Sequence, residues 1–556
     1  MEIMELIASL IWLLAGVGVF IVGMNFMSEA LGKSAGAGMQ RLLSKISNNR
    51  FSGVAIGAGV TAIIQSSSAT SVMVIGLVNA GVMTLMQAAP IIMGAKIVTT
   101  ITGILVALKN DYFDMLMYLL AFAGVMMGFA KKEKVKLAGL LCSGLGLIFV
   151  GLNIMSSDQA FGNDNVVKMF EDIFKAVNFP PLLILIGVIF TMLVQSSSAA
   201  TGVVITMVGT GVMQLDLALF IILGANIGTC ITAILASMGA NADSKRVAVI
   251  HLSLSVIGVV LFGTGMWIWK EPMVNLLTAI FPGDDTMSIQ MRASMFHVIF
   301  NVTLVALTLP FVKQLVAFSQ RVVKDKKTPQ ETRSLKYVDT RLLNTPAIAL
   351  AQSKKEIEYM LELVQENLKL SEEALITGTG EGDKIRANEA TIDFINSHLT
   401  EFLIRLSSHV DDKAENIIGA YFHVLNDLER VGDHAENFLE IGEEMHSKGI
   451  SFSEKARADI KVMYEKMLEM LTLSAAAFGS LNKDLLPALG QLEDEMDDMK
   501  KDLSAQHFNR LAEGKCSLEV SPYYFSTVAG LERVGDHIVN VGFSIQSPVG
   551  NQENED

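Results

Sequence analysis

A chain that crosses lipid must satisfy its backbone amides and carbonyls internally, so it crosses as continuous helix or as a closed barrel. Roughly the first 315 residues of this 556-residue sequence are a series of apolar runs, most long enough for the about 20 residues that a spanning helix needs. The runs place spans at about 5–28, 83–108, 112–130, 137–157, 213–240, 247–268 and 294–316. Two further apolar stretches, about 51–80 and 181–211, break the pattern from within. One carries Gln65, Ser66, Ser67 and Ser68 in its middle; the other carries Gln195, Ser196, Ser197 and Ser198. A break at membrane depth is tolerated only where it is buried in protein or lines a wet cavity.

The charges of the connections orient these spans, because basic connections stay on the cytoplasmic side. Lys33, Arg41, Lys45 and Arg50 follow the first span, KKEKVK begins at Lys131, Lys245 and Arg246 lie between two later spans, and QRVVKDKK begins at Gln320. Acidic connections hold Asp158, Asp164, Glu171 and Asp172, or Glu271, Asp284 and Asp285. All the basic groups share one side only if each QSSS stretch enters and leaves by the same face. Both are therefore expected as re-entrant hairpins, the first dipping in from the cytoplasm and the second from outside.

The halves so defined match in sequence. GVGVFIVGMNFMS at Gly16 parallels GLGLIFVGLNIMS at Gly144, aligning Gly23 with Gly151, Asn25 with Asn153 and Ser28 with Ser156. GAKIVTT at Gly94 parallels GANIGTC at Gly224, each Gly following its Gln at the same distance. Inverted repeats with interrupted helices are the build of many secondary transporters, whose binding site lies at the repeat interface. A shorter echo aligns RVAVIHLSLS at Arg246 with RASMFHVIFN at Arg292, and so His251 with His297. These histidines are either buried and satisfied or polar supports of the site.

Ser66, Ser67, Ser68 and Thr70 offer short hydroxyls that donate and accept, and Gln65 adds an amide that does both. A helix that starts after each break points free N–H groups at the tip, which favours a phosphate-like anion. The Gly-Ala-Asn-Ile-Gly sequence is expected as a second break whose freed carbonyls suit Na+. Small residues that only let helices pack closely would explain a single QSSS. They do not explain two copies at matched spacing with opposite insertion.

The twin QSSS motifs, GANIGT at Gly224–Thr229 and VGLNIMS resemble the type II sodium–phosphate cotransporter family across the whole membrane part. The resemblance implies sodium-coupled movement of inorganic phosphate. By matching position it assigns the substrate and sodium sites to Gln65, Ser66, Ser67, Ser68, Gln195, Ser196, Ser197 and Ser198. Asn226 and Thr229 would assist from the second break, and Thr99 and Thr100 from the first. The first half departs from the family's pattern: Lys96 stands where Asn is usual and Val98 where Gly is. An ionisable residue inside the membrane is a functional candidate. Either the Lys96 ammonium takes the place of one cation or pairs with phosphate, or the side chain snorkels to an interface.

From about Thr345 onward apolar residues recur at three- and four-residue intervals among charges, as in IEYMLELVQENLKL at Ile357, which reads as amphipathic helix. Pro329 and Pro346 punctuate a basic linker, residues 317–344, suited to an anionic lipid surface. LERVGDHAENF at Leu428 and LERVGDHIVNV at Leu531 make the tail, 345–546, a pair of similar helical bundles. The repeated ERVGDH resembles the PhoU family of phosphate-regulatory proteins, some of which bind divalent metal or iron through carboxylate pairs. Glu429 and Asp433 lie four apart on one helix face, as do Glu532 and Asp536. They are either metal ligands or a solvated acidic face paired with Arg430 and Arg533. His434 and His537 adjoin the motif and fit a surface position equally well. Asp427 in the first copy is Gly530 in the second, so unequal metal binding is expected.

The fold expected is therefore an all-α membrane protein: an inverted-repeat transporter domain over 1–316, with repeats of about 5–130 and 137–316, followed by a cytoplasmic PhoU-like domain. Its partners are inorganic phosphate, Na+ and the lipid of the cytoplasmic membrane, with phosphate-signalling proteins or further copies of the chain as candidates. A membrane receptor that binds phosphate without moving it is the alternative. Nucleic acid is not indicated: the net charge of −14 comes mostly from the tail, and no basic stripe interleaves with aromatics. No Walker A, Ser-His-Asp or metalloprotease pattern argues for an enzyme. Cys142, Cys230 and Cys516 have no paired spacing, so neither disulfide nor zinc is indicated. The acidic start Met-Glu-Ile-Met-Glu lacks the basic region of a signal peptide, so the first run is expected to stay as a helix.

Overall fold

The computed structural model describes residues 2–34, 49–108, 111–161, 164–177, 179–324, 334–410 and 412–546. Arg41, Lys45, Lys326, Lys327 and Pro329 lie outside them, as do the side chains of Asp164 and Glu171. The chain divides into two units, Met1–Pro329 and Gln330–Asp556. The described residues contain helices and no strand.

In the first unit, α1 (Glu2–Ser34) is followed by α2 (Arg50–Ile64), α3 (Ser67–Asn79), α4 (Leu85–Val98), α5 (Thr100–Ala107) and α6 (Asp111–Gly128). The second half gives α7 (Glu133–Ser156), α8 (Asp164–Ala176), α9 (Pro180–Val194), α10 (Ser197–Gly209), α11 (Leu215–Gly228) and α12 (Cys230–Ser237). It closes with α13 (Ala242–Ile268), α14 (Lys270–Ile280), α15 (Thr286–Thr308) and α16 (Val312–Val322). Six of the described helical segments are long and apolar enough to cross a membrane; this is a membrane protein. Helix α15 starts two turns earlier than the expected 294, because Asp285 caps it by accepting from Ser288 N. Helices α8 and α14 were not expected. Each mixes charged with apolar residues, as in DNVVKMFEDIFKA, and so escapes a search for spanning runs.

Glycine contacts show that the halves are inverted. A Cβ on Gly23 would lie 2.7 Å from Gly144 O, and one on Gly144 would lie 2.7 Å from Gly23 O. Gly16 and Gly151 face each other in the same reciprocal way. Helices α1 and α7 therefore run antiparallel. The exchange of Gly16 for Gly144 and of Gly23 for Gly151 maps each contact onto the other, as a two-fold axis requires. The second pair of equivalent contacts is equally close. Gly57 and Gly94 seat α2 on α4, and Gly187 and Gly224 seat α9 on α11, with added Cβ atoms falling 2.0–2.1 Å from carbonyl oxygens.

The two-fold extends to the helices beyond the hairpins. Helix α3 packs against α12 and α13, while α10 packs against α5 and α15. In this scheme α13 and α15 are equivalents, as the alignment of His251 with His297 indicates.

The second unit holds α17 (Pro346–Thr377), α18 (Gly382–Ser407) and α19 (Asp412–Ser447), then α20 (Glu454–Ser480), α21 (Leu486–Ala512) and α22 (Ser521–Phe543). Each trio is a three-helix bundle, and the two join through α19 against α22 and α17 against α20. Residues 334–344 belong to this unit: the backbone N–H groups of Lys336 and Tyr337 donate to the buried Glu356 carboxylate.

Candidate functional site

Both QSSS sequences fold into the same tip. Gln65 has φ 54 and ψ 21, and Gln195 has φ 55 and ψ 19, so each ends its helix in the left-handed region. A non-glycine residue there costs roughly 1–2 kcal/mol; Gln65 Nε2 offsets part of this by donating to the otherwise free Ala62 O at 2.7 Å. The next residue starts the following helix in extended backbone. Ser66 Oγ accepts from Ala69 N at 3.1 Å, and Ser196 Oγ accepts from Ala199 N at 3.2 Å. The capping serines are thus used internally. The hydroxyls of Ser67, Ser68, Ser197 and Ser198 donate no hydrogen bond among the described residues, and of the N–H groups that open α3 and α10 those of Ala69 and Ala199 go to the caps.

Thr61 and Thr70 confirm the reversal of the first tip. Nine residues apart, their hydroxyls meet at 3.0 Å, whereas in a continuous helix they would stand about 13.5 Å apart along the axis. Thr70 therefore sits fully buried behind the tip, also bonded to Ser66 O, where it braces the hairpin. Ser28 Oγ of α1 donates to Ile64 O; its repeat partner Ser156 donates instead to Leu152 O of its own helix. Gln65 is half-buried and Gln195 exposed.

The expected second breaks are not breaks. Thr99 and Thr229 interrupt the helices for one residue but keep right-handed helical angles, φ −55 and ψ −23 in one and φ −60 and ψ −27 in the other. Their backbone N–H groups still donate to Ala95 O and Ala225 O. The carbonyls loosened there are taken by side chains: Thr99 Oγ1 on Ala95 O, Thr100 Oγ1 on Ile97 O, Thr229 Oγ1 on Ala225 O and Cys230 Sγ on Asn226 O. Threonine permits this because its hydroxyl reaches back one turn. Asn226 is buried, its Nδ2 on Ile222 O at 3.3 Å.

Lys96 is buried at 5 % exposure and does not reach an interface. Its Nζ donates to Ser255 Oγ of α13 at 2.8 Å, and Cys230 Sγ lies 3.1 Å from the same hydroxyl. No carboxylate forms an ion pair with it among the described residues. The aligned histidines differ. His251 Nδ1 contacts Ser71 Oγ at 3.4 Å, one turn from Ser67, while His297 Nδ1 is buried and has no partner. Of the two readings, a buried and satisfied ring fits His251 and does not fit His297.

In the second unit the carboxylate pairs gain companions that the motif search missed. Glu389 and Asp393 on α18 stand with Glu429 and Asp433, and one ligand atom each of Glu493, Asp497 and Asp536 fall within 4.8 Å of one another. The same four-residue Glu–Asp spacing on the helix before each ERVGDH segment was the available signal. Glu389 is the most perturbed. It is 5 % exposed and neither carboxylate oxygen has a partner. Burial, with Asp393, Asp433, Glu436 and Glu429 around it, pushes its pKa up to about 8. Burial first and neighbouring carboxylates next also raise Glu429, Glu493 and Asp536. Glu389, buried and unpaired beside other carboxylates, is the group a divalent cation would relieve, whereas Glu429 and Asp433 also meet Arg430 and Asp536 is exposed. The bundles differ, since Lys500 pairs with Glu532 at 2.6 Å. The Asp427-to-Gly530 difference, from which unequal metal binding was expected, lies elsewhere. Asp427 lies on the seam between the bundles, bonded to His537 Nδ1 at 2.8 Å. At Gly530 a Cβ would press on Phe438, 2.8 Å away. His434 and His537 face each other across the seam with ring centroids 6.3 Å apart, so neither is a plain surface residue.

The profile of the Na+/Pi-cotransporter family matches residues 19–157 and 164–283, spanning both tips and both halves. The chain belongs to that family. The PhoU domain profile matches residues 357–442 and 460–545, one match per bundle. A Na+/Pi-cotransporter membrane unit thus precedes a pair of PhoU domains. YjbB of Salmonella typhimurium, named as a proposed inorganic phosphate export protein, is 24 % identical over 97 % of each chain. YqeW of Bacillus subtilis, named as uncharacterized, is 31 % identical over 44 % of this chain and 78 % of its own. Mouse sodium-dependent phosphate transport protein 2C is 40 % identical over 85 residues, 15 % of this chain and 14 % of its own.

Proposed function

We propose that the membrane unit carries inorganic phosphate across the cytoplasmic membrane together with Na+, and that the PhoU unit lies in the cytoplasm and regulates it. The observation that carries this reading is the tip built twice: a left-handed Gln, a capping Ser, then two serines with free hydroxyls at a helix start, on halves that run antiparallel. Two such starts aim partial positive charge and hydroxyl donors at one anion. Two inverted copies give alternate access from either face. In this reading Gln65, Ser67, Ser68, Gln195, Ser197 and Ser198 contact phosphate, Ser66 and Ser196 hold the tips, and Thr99, Thr100, Asn226 and Thr229 line the adjoining helices. A divalent metal held by the carboxylates of α18 with α19, and of α21 with α22, would neutralise their mutual repulsion.

Direction follows the gradients, and the relatives named for export fit the same machine running outward. The test is uptake of labelled phosphate into proteoliposomes containing the full chain. Accumulation against a phosphate gradient, driven by inward Na+, is expected. Saturable phosphate binding with no sodium-driven accumulation would replace the carrier with a receptor.

A further inference from the structure

The two halves solve the same polar problem differently. The exchange of Gly94 for Gly224 and of His251 for His297 carries Lys96, Cys230 and Ser255 onto Asn226, Thr100 and Asn301. The helices agree: α13 packs against α4 and α12 where α15 packs against α11 and α5. In the first set an ammonium holds the position. Lys96 Nζ sits 2.8 Å from Ser255 Oγ, with Cys230 Sγ 3.1 Å from that oxygen. In the second set there is no cation of the chain's own. There are instead two carboxamides and a hydroxyl.

Asn301 is fully buried, its Nδ2 donates to His297 O at 3.0 Å, and its Oδ1 is left without a partner. The unpartnered atoms gather on this side. Thr201 Oγ1, Ser294 Oγ and His297 Nδ1 are also buried and unbonded. Their counterparts Ser71 and His251 contact each other, and Ser294 corresponds to Ala248. Gly103 corresponds to Ala233, and it leaves open a space whose Cβ would lie 3.2 Å from Ser294 Oγ and 3.9 Å from His297 Nδ1. A buried polar atom left unpaired costs about 1–3 kcal/mol, so the three on one face of α15, Ser294 Oγ, His297 Nδ1 and Asn301 Oδ1, call for a ligand.

We propose that the halves contain equivalent cation positions, the first filled by the tethered ammonium of Lys96 on Ser255 and the second taken by one mobile Na+ on Asn226, Thr100 and Asn301. Oxygen donors suit Na+, and Asn301 is the side chain that commits the position to it. The chain then moves one Na+ fewer than a protein with carboxamides in both places. This rests on the sodium-coupled reading above and specifies its ion site.

The purified full chain is titrated with radioactive sodium and, separately, with labelled phosphate. Asn301→Ser copies Ser255 and Thr100→Val keeps the shape. Each is expected to weaken sodium binding about tenfold or more; phosphate binding at saturating sodium survives in Asn301→Ser as its folding control, and an unchanged melting temperature is the control for Thr100→Val. Lys96→Asn is expected to add one sodium ion per chain at saturation. Unchanged sodium affinity in both weakened variants, with phosphate binding retained, overturns the site and leaves water to satisfy Asn301. An unchanged ion count in Lys96→Asn overturns the equivalence. Sodium binding that Asn301→Ser removes, in a protein that shows no sodium-driven phosphate uptake, supports the site and instead defeats coupled transport.

Discussion

At the residue scale the two tips separate structural from solute-facing serines. Ser66 and Ser196 cap helices, so Ser66→Ala removes a cap worth about 1 kcal/mol and should lower thermal stability of the purified chain as well as phosphate uptake. Ser68 and Ser198 donate to nothing among the described residues. Ser68→Ala and Ser198→Ala should leave the melting temperature unchanged and raise the phosphate concentration for half-maximal uptake about tenfold. Equal melting losses in all three variants would return the free hydroxyls to a packing role. Glu389 supplies a pH dependence. Its folded pKa of about 8 exceeds its ordinary 4.5, so the folded state keeps a proton that the unfolded chain releases. The group therefore costs nothing below about 4.5, and the cost grows as pH rises from there to about 8, above which it is complete. Glu389→Gln stays neutral and should slow hydrogen exchange of α18 and α19 at pH 8, by about 1–3 kcal/mol, with no difference at pH 4. A divalent metal should protect the same amides in the unaltered chain and not in the variant. The opposite pH trend would mean that the carboxylate is paired in solution.

At the element scale, much was legible because the membrane makes polar interruptions expensive. Gln65 and Gln195 announce helix ends in a run where no other residue accounts for them, and each hairpin turns at its Gln. GAKIVTT and GANIGTC misled for a physical reason. Glycine and asparagine weaken a helix, but Thr99 and Thr229 return their hydroxyls to the preceding turn and the backbone carries on. Amphipathic α8 and α14 lack the composition that marks spans, and the partners of Lys96 come from α12 and α13, far along the chain. The glycine seats explain why the inverted helices cross so closely. Gly57→Ala and Gly187→Ala would drive a Cβ to about 2 Å from a carbonyl oxygen and should each abolish monodisperse protein on size exclusion, at a cost above about 3 kcal/mol. Gly32→Ala, with nothing within 4 Å, should behave as the parent.

At the scale of the molecule, polar contacts at the ends of helices divide the membrane unit into two faces. Arg50 Nη1 donates to Pro310 O at 2.9 Å, Asn241 N donates to Asn79 Oδ1 at 2.8 Å, and Arg246 Nε donates to Val323 O at 3.0 Å. These residues belong to the connections that the basic charges assign to the cytoplasm, and the end of the first hairpin is among them. The opposite set is joined by Lys270 to Asp216 at 2.7 Å and by Arg292 to Asp284 at 3.6 Å. Helix α13 links the two faces, with Arg246 near its start and Lys270 just past its end, and its 27 residues span about 40 Å. The contacts fix which loops share a face, and the excess of Lys and Arg predicts which face meets the cytoplasm. A single cysteine at the exposed Lys245 or at Lys270, in a chain whose own cysteines are replaced by alanine, tests both statements. In intact cells a membrane-impermeant maleimide should label the cysteine at 270 and spare the one at 245, and inside-out vesicles should reverse the pattern. Labelling of both from one side would dissolve the two faces, and with them the opposed entry of the hairpins. The reverse pattern would keep the faces and put the PhoU bundles outside the cell.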